Sequence, residues 1–324
     1  MGEPVEMQSN NPVMNRDSRI FVAGHRGLVG AALVRALTAQ GFRNLVVRTR
    51  TELDLVDQAS VRSFFDHERP DFVFLAAAKV GGIHANNTYR AEFIYQNLQI
   101  QNNVIDSSYR SGAQKLVFLG SSCIYPKSAP QPMLEDYLLS GPLEPTNEPY
   151  AVAKIAGIKL AEAYRDQYNF QSISLMPTNL YGPFDNFDPL NSHVLPALLR
   201  RFHEAKIERR SEVTIWGTGT PMREFLHVDD LADAAIFLAQ NYNGAQIVNV
   251  GSGVEISIRT LALLIAKVVG FRGEIIQDAC KPDGTLRKLL DVSRLSRLGW
   301  HPRIELHAGI ESTYRWYLEN GALQ

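Results

Sequence analysis

Tyr150 and Lys154 stand four residues apart, a spacing that puts both side chains on one face of a helix. A phenol of pKa near 10 is a weak acid–base catalyst at neutral pH. An ammonium beside it stabilises the phenolate and lowers that value. Ser121 follows the apolar run Lys115–Leu119, and its hydroxyl can hydrogen-bond a substrate oxygen across the same site. Near the other end of the chain, Gly24-His25-Arg26-Gly27-Leu28-Val29-Gly30 spaces its glycines G-x-x-G-x-x-G. Glycine permits a tight turn and close approach of backbone to a pyrophosphate, and a helix start offers free N–H groups and partial positive charge. A dinucleotide loop combined with a Ser/Tyr/Lys set is the chemistry of hydride transfer to or from a carbonyl carbon.

These residues need a scaffold of strands and helices in register. Arg19–Ala23 is a β-branched and aromatic run that stops at Gly24 and reads as a buried strand. Leu28–Gln40 has helical spacing and ends at Gly41. Strands are expected at Asn44–Arg48, Asp71–Leu75, Lys115–Leu119, Gln171–Leu175 and Gln246–Val250. Helices are expected at Asp57–Glu68, Arg90–Arg110, Tyr150–Tyr168 and Asp229–Asn241. Strands alternating with helices of this length predict a doubly wound, Rossmann-type parallel sheet, an α/β fold. The pattern becomes mixed after Met176. The expected organisation is therefore a polar disordered tail at 1–17, a cofactor domain at 18–176 plus 225–250, and a smaller interleaved α/β substrate domain at 177–224 plus 251–324.

The second strand should choose the dinucleotide. An acid about 20 residues past the glycine loop binds a free ribose hydroxyl, whereas an arginine accommodates a 2′-phosphate. Here Arg48-Thr49-Arg50 stands at that place, the first acid is Glu52, and Arg26 lies in the loop itself. That favours NADP(H). Asp54 is placed at the adenine edge or, equally, as a cap of the next turn. Leu119, Gly120, Ser121 and Ser122 at the end of the fourth strand, Lys154 at the nicotinamide ribose, and the backbone of Pro177, Thr178, Asn179 and Leu180 complete the expected cofactor contacts.

The composition fits a soluble globular enzyme. Of 324 residues, 45% are hydrophobic and 21% charged, and the formal net charge is −1. A chain-wide basic field for nucleic acid or anionic lipid is absent. No apolar run approaches the roughly 18 residues of a membrane span. Two cysteines, Cys123 and Cys280, without a Cys-x-x-Cys pair, argue against a disulfide framework and for a reducing, cytoplasmic setting. The eight histidines show no metal-site spacing.

The chain resembles the extended short-chain dehydrogenase/reductase superfamily. Within it, the resemblance is closest to the bifunctional 3,5-epimerase/4-reductases that turn GDP-4-keto-6-deoxy-D-mannose into GDP-L-fucose. It is carried by the stretches 24–30, 76–82, 120–126, 144–150, 176–183, 191–193 and 221–230, and covers nearly the whole chain after residue 18. The Ser121-Ser122-Cys123 and Asn191-Ser192-His193 elements are those of this family rather than of the superfamily. The resemblance implies one site for two reactions: proton transfer at the carbons flanking the C4 ketone, then reduction of that ketone with NADPH. It makes Cys123 the carbon base and His193 the acid that reprotonates from the other face, with Ser121, Tyr150 and Lys154 serving the ketone. A thiol near pKa 8.5 becomes a useful base with modest help, and an imidazole donates near neutral pH. The resemblance also places Arg201, Trp216, Arg223 and Asp283 at the GDP moiety, beside His193, and implies a homodimer through the long helices at 90–110 and 150–168.

Two other readings compete. A nucleotide-sugar 4,6-dehydratase or 4-epimerase would keep NAD(H) tightly bound, where Arg50 suggests NADP, and a dehydratase would often carry an acidic pair where Ser122-Cys123 stands. A non-catalytic NADP-sensing protein would typically lose the Ser/Tyr/Lys set, which this chain keeps.

Overall fold

The computed structural model describes residues 11–189, 191–278, 280 and 283–321. The strands are β1 (Ile20–Ala23), β2 (Leu45–Val46), β3 (Phe72–Leu75), β4 (Lys115–Leu119), β5 (Ser172–Pro177), β6 (Asn179–Tyr181), β7 (Glu212–Trp216), β8 (Met222–His227), β9 (Val248–Val250), β10 (Glu255–Ser257), β11 (Glu274–Asp278) and β12 (Arg287–Lys288). The helices are α1 (Leu28–Ala39), α2 (Gln58–Glu68), α3 (Ile83–Thr88), α4 (Arg90–Arg110), α5 (Glu148–Tyr168), α6 (Val194–Ile207), α7 (Val228–Asn241), α8 (Ile258–Val269), α9 (Ser293–Arg297) and α10 (Leu306–Trp316).

Six strands form one parallel sheet in the order β2-β1-β3-β4-β5-β9. β1, β3, β4 and β5 are buried along their whole length, as strands covered on both faces must be. Apolar residues of α1 and α7, among them Leu33, Leu37, Leu231 and Ala235, cover one face. Val61, Phe65, Val104, Ile105, Ile155 and Ile158 of α2, α4 and α5 cover the other. β2 and β3 lie on opposite sides of β1, so the chain reverses direction of travel there and opens a crevice at the carboxyl ends of β1 and β3.

A separate core gathers Tyr181, Leu199, Phe202, Ile215, Leu261, Ile265 and Ile310. Its strands are short: β8 pairs with β6, β10 and β12, and β7 pairs with β11.

Three expectations need correction. The strand expected at Asn44–Arg48 is only Leu45–Val46, which pairs with Ile20 and Phe21 of β1, while Arg48 beyond it pairs with Glu68 at 2.5 Å. Within the expected disordered tail, residues 1–10 lie outside the described ones, but 11–17 pack on the body. Met14 is buried in the sheet's core, and Asn11 accepts a hydrogen bond from the buried Lys115 ammonium at 2.6 Å. The carbonyls of Ala239 and Tyr242 complete that ammonium's shell, at 2.7 and 2.5 Å. A buried charge needs such partners, and the tail supplies one of them. Finally, the segment 251–324 does not all join the smaller core: Leu295 and Trp300 pack against the large sheet, and Trp300 donates to Asp233 at 2.8 Å.

Candidate active site

The glycine loop turns at the carboxyl end of β1. Gly24 has φ +86°, and a Cβ there would lie 2.8 Å from Ala77 Cα in the loop after β3. A Cβ on Gly30 would lie 2.1 Å from the Gly24 carbonyl oxygen. Both positions require glycine, and the result is a concave backbone cradle at the uncapped start of α1. That cradle and the crevice beside it fit a dinucleotide pyrophosphate. His25, Arg26, Leu28 and Val29 fill out the loop. Arg26 is exposed, and burial, then its charge, holds the His25 imidazole below the usual value.

At the end of β2, Arg50 is 75% exposed and stands 3.9 Å from Asp54. The neighbouring Arg48 is committed to Glu68. Asp54 accepts the Val56 N–H at 3.1 Å, the turn-capping alternative of the sequence reading. Glu52 also sits here, and its carboxylate is held below the usual range by Thr49 hydrogen bonds and then by Arg48 and Arg26. It shares the arginines' surroundings.

The reacting groups converge where β4 ends. α5 lies close on β4 because residue 157 is glycine: a Cβ there would come within 2.5 Å of the Phe118 ring and 2.7 Å of Gln101. Gln101 in turn donates to the Ala153 carbonyl at 2.6 Å, fixing α4 to α5. Lys154, one turn earlier on that face, is buried and donates to the Leu119 carbonyl at 2.8 Å. Burial brings its pKa down to about 8. Its ammonium lies 5.8 Å from the Tyr150 ring centroid.

Tyr150 differs from expectation. Burial and the nearby Cys123 push its pKa above the usual value, against a hydrogen bond with Ser121. The lysine's ammonium is bonded to the Leu119 carbonyl. Tyr150 is thus held as the protonated donor. Ser121 also accepts the Cys123 N–H at 3.2 Å, and this bond opens the short helical turn 122–124. Gly120 is backed by Met176, and Ser122 is buried.

Cys123 is half-buried, and the Lys288 ammonium donates to its sulfur at 3.5 Å. His193 opens α6 with no capping bond and stays reachable from solvent, although protein crowds it. That crowding, and then the charge of Lys288, hold its pKa below 6.5. Lys288 is therefore common to both groups. The loops are locked as well: Gly82 N–H donates to the Asn191 carbonyl at 2.8 Å, which joins the alanine-rich loop after β3 to the segment before His193.

Pro177, Thr178, Asn179 and Leu180 lie where β5 passes into β6. The Asn179 amide donates to the Glu224 carbonyl at 2.8 Å, so its side chain is structural. Glu224 itself is fully buried and was not singled out from sequence. Its carboxylate accepts the Gly253 N–H at 2.7 Å and the Leu290 N–H at 3.0 Å.

Of the four residues expected at GDP, Arg201 and Trp216 line one cavity of about 600 Å³, together with Arg200, Arg210 and Thr214. Arg201 donates to the Thr214 carbonyl at 2.7 Å, while Trp216 is 62% exposed. Arg223 and Asp283 are not among that cavity's walls. Asp283 accepts from Thr218 N–H at 2.7 Å and its hydroxyl at 2.9 Å, and Arg223 donates to the Met222 carbonyl. Cys280 is exposed and free. Among the described residues no cluster of three metal-ligating side chains occurs, and no helix is long and apolar enough to cross a membrane.

A doubly wound parallel sheet with a glycine cradle after β1 and a Ser–Tyr–Lys set across β4 and α5 defines a nucleotide-dependent dehydrogenase or epimerase. The chain belongs to the NAD dependent epimerase/dehydratase family, which matches residues 20–251. It is 63% identical to GDP-L-fucose synthase 1 of Arabidopsis thaliana, over 94% of this chain and 95% of that protein. It is 59% identical to GDP-L-fucose synthase of Escherichia coli strain K12, over 93% and 97%. Among solved structures, a GDP-L-fucose synthetase from Naegleria fowleri bound to NADP superposes with a TM-score of 0.90 at 27% identity, over 97% and 98%. A GDP-6-OMe-4-keto-L-xylo-heptose reductase from C. jejuni gives 0.90 at 42% identity, over 96% and 100%.

Proposed function

We propose that this protein makes GDP-L-fucose from GDP-4-keto-6-deoxy-D-mannose, first by 3,5-epimerisation and then by NADPH-dependent reduction of the C4 ketone. One observation carries the reading: a thiol and an imidazole, suited to moving protons on carbon, share a cluster with a Ser–Tyr pair suited to a carbonyl oxygen. The GDP-L-fucose synthases at 59% and 63% identity support the substrate and product. The NADP-bound relative, the glycine cradle and the exposed Arg50 support the cofactor.

In the first stage Ser121 and Tyr150 donate hydrogen bonds to the C4 oxygen. The Cys123 thiolate takes a proton from the adjacent carbon. The C–H bond breaks, an S–H bond forms, and the electron pair becomes an enolate held by the two hydroxyls. A charged His193 returns a proton to the opposite face. The pair is reset when the thiol proton passes back to the imidazole through solvent. The same cycle serves the second flanking carbon.

Bound NADPH supplies the hydride of the second stage. Tyr150 gives its proton to the C4 oxygen as that oxygen becomes an alkoxide. The buried Lys154 charge, one helical turn away, favours the phenolate left behind. Arg201 and Trp216 hold the GDP end, and Arg223 and Asp283 border it.

The two free cysteines support a reducing, cytoplasmic setting. Exposed Tyr95 on α4 and Val152 on α5 support a homodimer through those helices. The deciding experiment is incubation with NADPH and GDP-4-keto-6-deoxy-D-mannose, following loss of reduced nicotinamide and the NMR spectrum of the product. GDP-L-fucose is the expected product; oxidation of NADPH to give only GDP-D-rhamnose would remove the epimerase half.

A further inference from the structure

We propose that Lys288 is a positioning residue for carbon-proton transfer: its ammonium holds the Cys123 thiolate in place and stabilises its charge. The proposal rests on the epimerase reading above, and its test has one arm that needs no sugar.

The contact is direct. Lys288 Nζ donates to Cys123 Sγ at 3.5 Å, a normal distance for a hydrogen bond to sulfur, between residues 165 apart in sequence. Three described groups lie around Cys123: Ser121 accepts its backbone N–H, Tyr150 is close enough to feel its charge when ionised, and Lys288 is the cation at the sulfur. His193 faces Lys288 and feels the same ammonium.

The backbone that carries Lys288 is built to hold it. β12 pairs in parallel with β8, Lys288 against Arg223. Leu289 N–H donates to Gln131 at 2.8 Å, and Leu290 N–H donates to the buried Glu224 at 3.0 Å. Met133 N–H donates to the Leu289 carbonyl, and Asp291 N–H to the Met133 carbonyl, at 2.8 and 2.9 Å. Before it, Arg287 makes two bonds to Glu255 at 2.8 and 3.0 Å. The lysine therefore approaches the sulfur from a strand fixed on both sides.

The chemistry follows from charge. A cation against sulfur favours the thiolate, the form that removes a proton from carbon. The same cation disfavours the imidazolium of His193, which makes that group a stronger proton donor once it is charged. One ammonium thus biases the base toward accepting and the acid toward releasing. When the thiolate takes the proton, the S–H group becomes neutral and the lysine keeps its charge, so Lys288 neither gains nor loses a proton in the step.

The test compares Lys288→Met, Lys288→Gln and Lys288→Arg in a Cys280→Ser background, with NADPH binding as the check on fold. Iodoacetamide alkylation of Cys123 is measured against pH, without sugar. Loss of the cation slows the reaction at neutral pH about tenfold or more, the scale of a lost neighbouring charge. Lys288→Arg restores most of the rate. Deuterium entry from D₂O into the carbons flanking the ketone falls in parallel. An unchanged alkylation profile in Met or Gln overturns the proposal, whichever of the two folds. A shifted profile with undiminished deuterium entry overturns the catalytic half. Normal coupling with no exchange in the wild type would instead sink the epimerase reading and leave the contact standing.

Discussion

Lys154 donates to the carbonyl of Leu119 at 2.8 Å, which ties the helix bearing Tyr150 to the strand that delivers Ser121. The bond sets the spacing of the reacting groups from two elements that meet nowhere in sequence.

Tyr150→Phe removes the proton donor but leaves the ring that packs edge-on, 6.4 Å between centroids, against Phe93. NADPH binding should persist while ketone reduction falls about 10²–10⁴-fold, the range for loss of general acid catalysis. Stopped-flow measurement of nicotinamide oxidation reads both quantities; near wild-type turnover would take the phenol out of the mechanism.

The pH dependence of reduction should reveal Lys154. Its folded pKa is depressed to about 8, so the charge is present below that value and lost as pH rises through it. Reduction should therefore decline on the alkaline side, from about pH 8 upward. Lys154→Arg keeps a charge at every accessible pH. It should lower the rate overall and abolish that alkaline limb. A limb that persists in the arginine variant belongs to another group.

Arg50 is exposed and paired only loosely with Asp54. Arg50→Ala should raise the KM for NADPH about tenfold, in line with loss of a charge-assisted hydrogen bond. Use of NADH should change little. Equal losses with both cofactors would show that the guanidinium does not read a 2′-phosphate.

Cys123→Ser keeps the cavity and replaces the thiol with a far weaker acid. Deuterium entry at the carbons flanking the ketone should fall about 10²-fold or more. Ser121 and Tyr150 remain, so the variant should still reduce the unepimerised ketone and yield a sugar of the wrong configuration. Wild-type exchange at both carbons, read by NMR, would make the cysteine structural.

Deleting residues 1–17 removes Met14 from the core and Asn11 from the Lys115 ammonium. Burial of a methionine side chain is worth about 1.5–3 kcal/mol, so the melting temperature should drop by several degrees. No change in melting would mean that the segment contributes nothing to stability.

What could be read from sequence was whatever a local pattern encodes. α4 and β4 fall at their expected bounds, Arg90–Arg110 and Lys115–Leu119, because a helix-ending glycine separates a long periodic run from a short apolar one. The glycine loop and the Tyr-x-x-x-Lys pair are local for the same reason. Lys288 and Glu224 carried no such signal. Their roles arise from contacts across 165 and 66 residues, which only the pairing of β12 with β8 creates. Asn11 was hidden similarly: a polar tail looks solvated until a buried ammonium 104 residues away needs an oxygen.

Glu224 sits between both halves of the chemistry. Its backbone oxygen receives Asn179 beside the expected nicotinamide end, and its carboxylate anchors Leu290, two residues past Lys288. Hydride and proton transfer therefore share one mechanical reference point. A change that loosened it would not appear as a defect in either step alone. It would reach both at once, because the strand end beside the nicotinamide and the strand that carries Lys288 hang from the same residue.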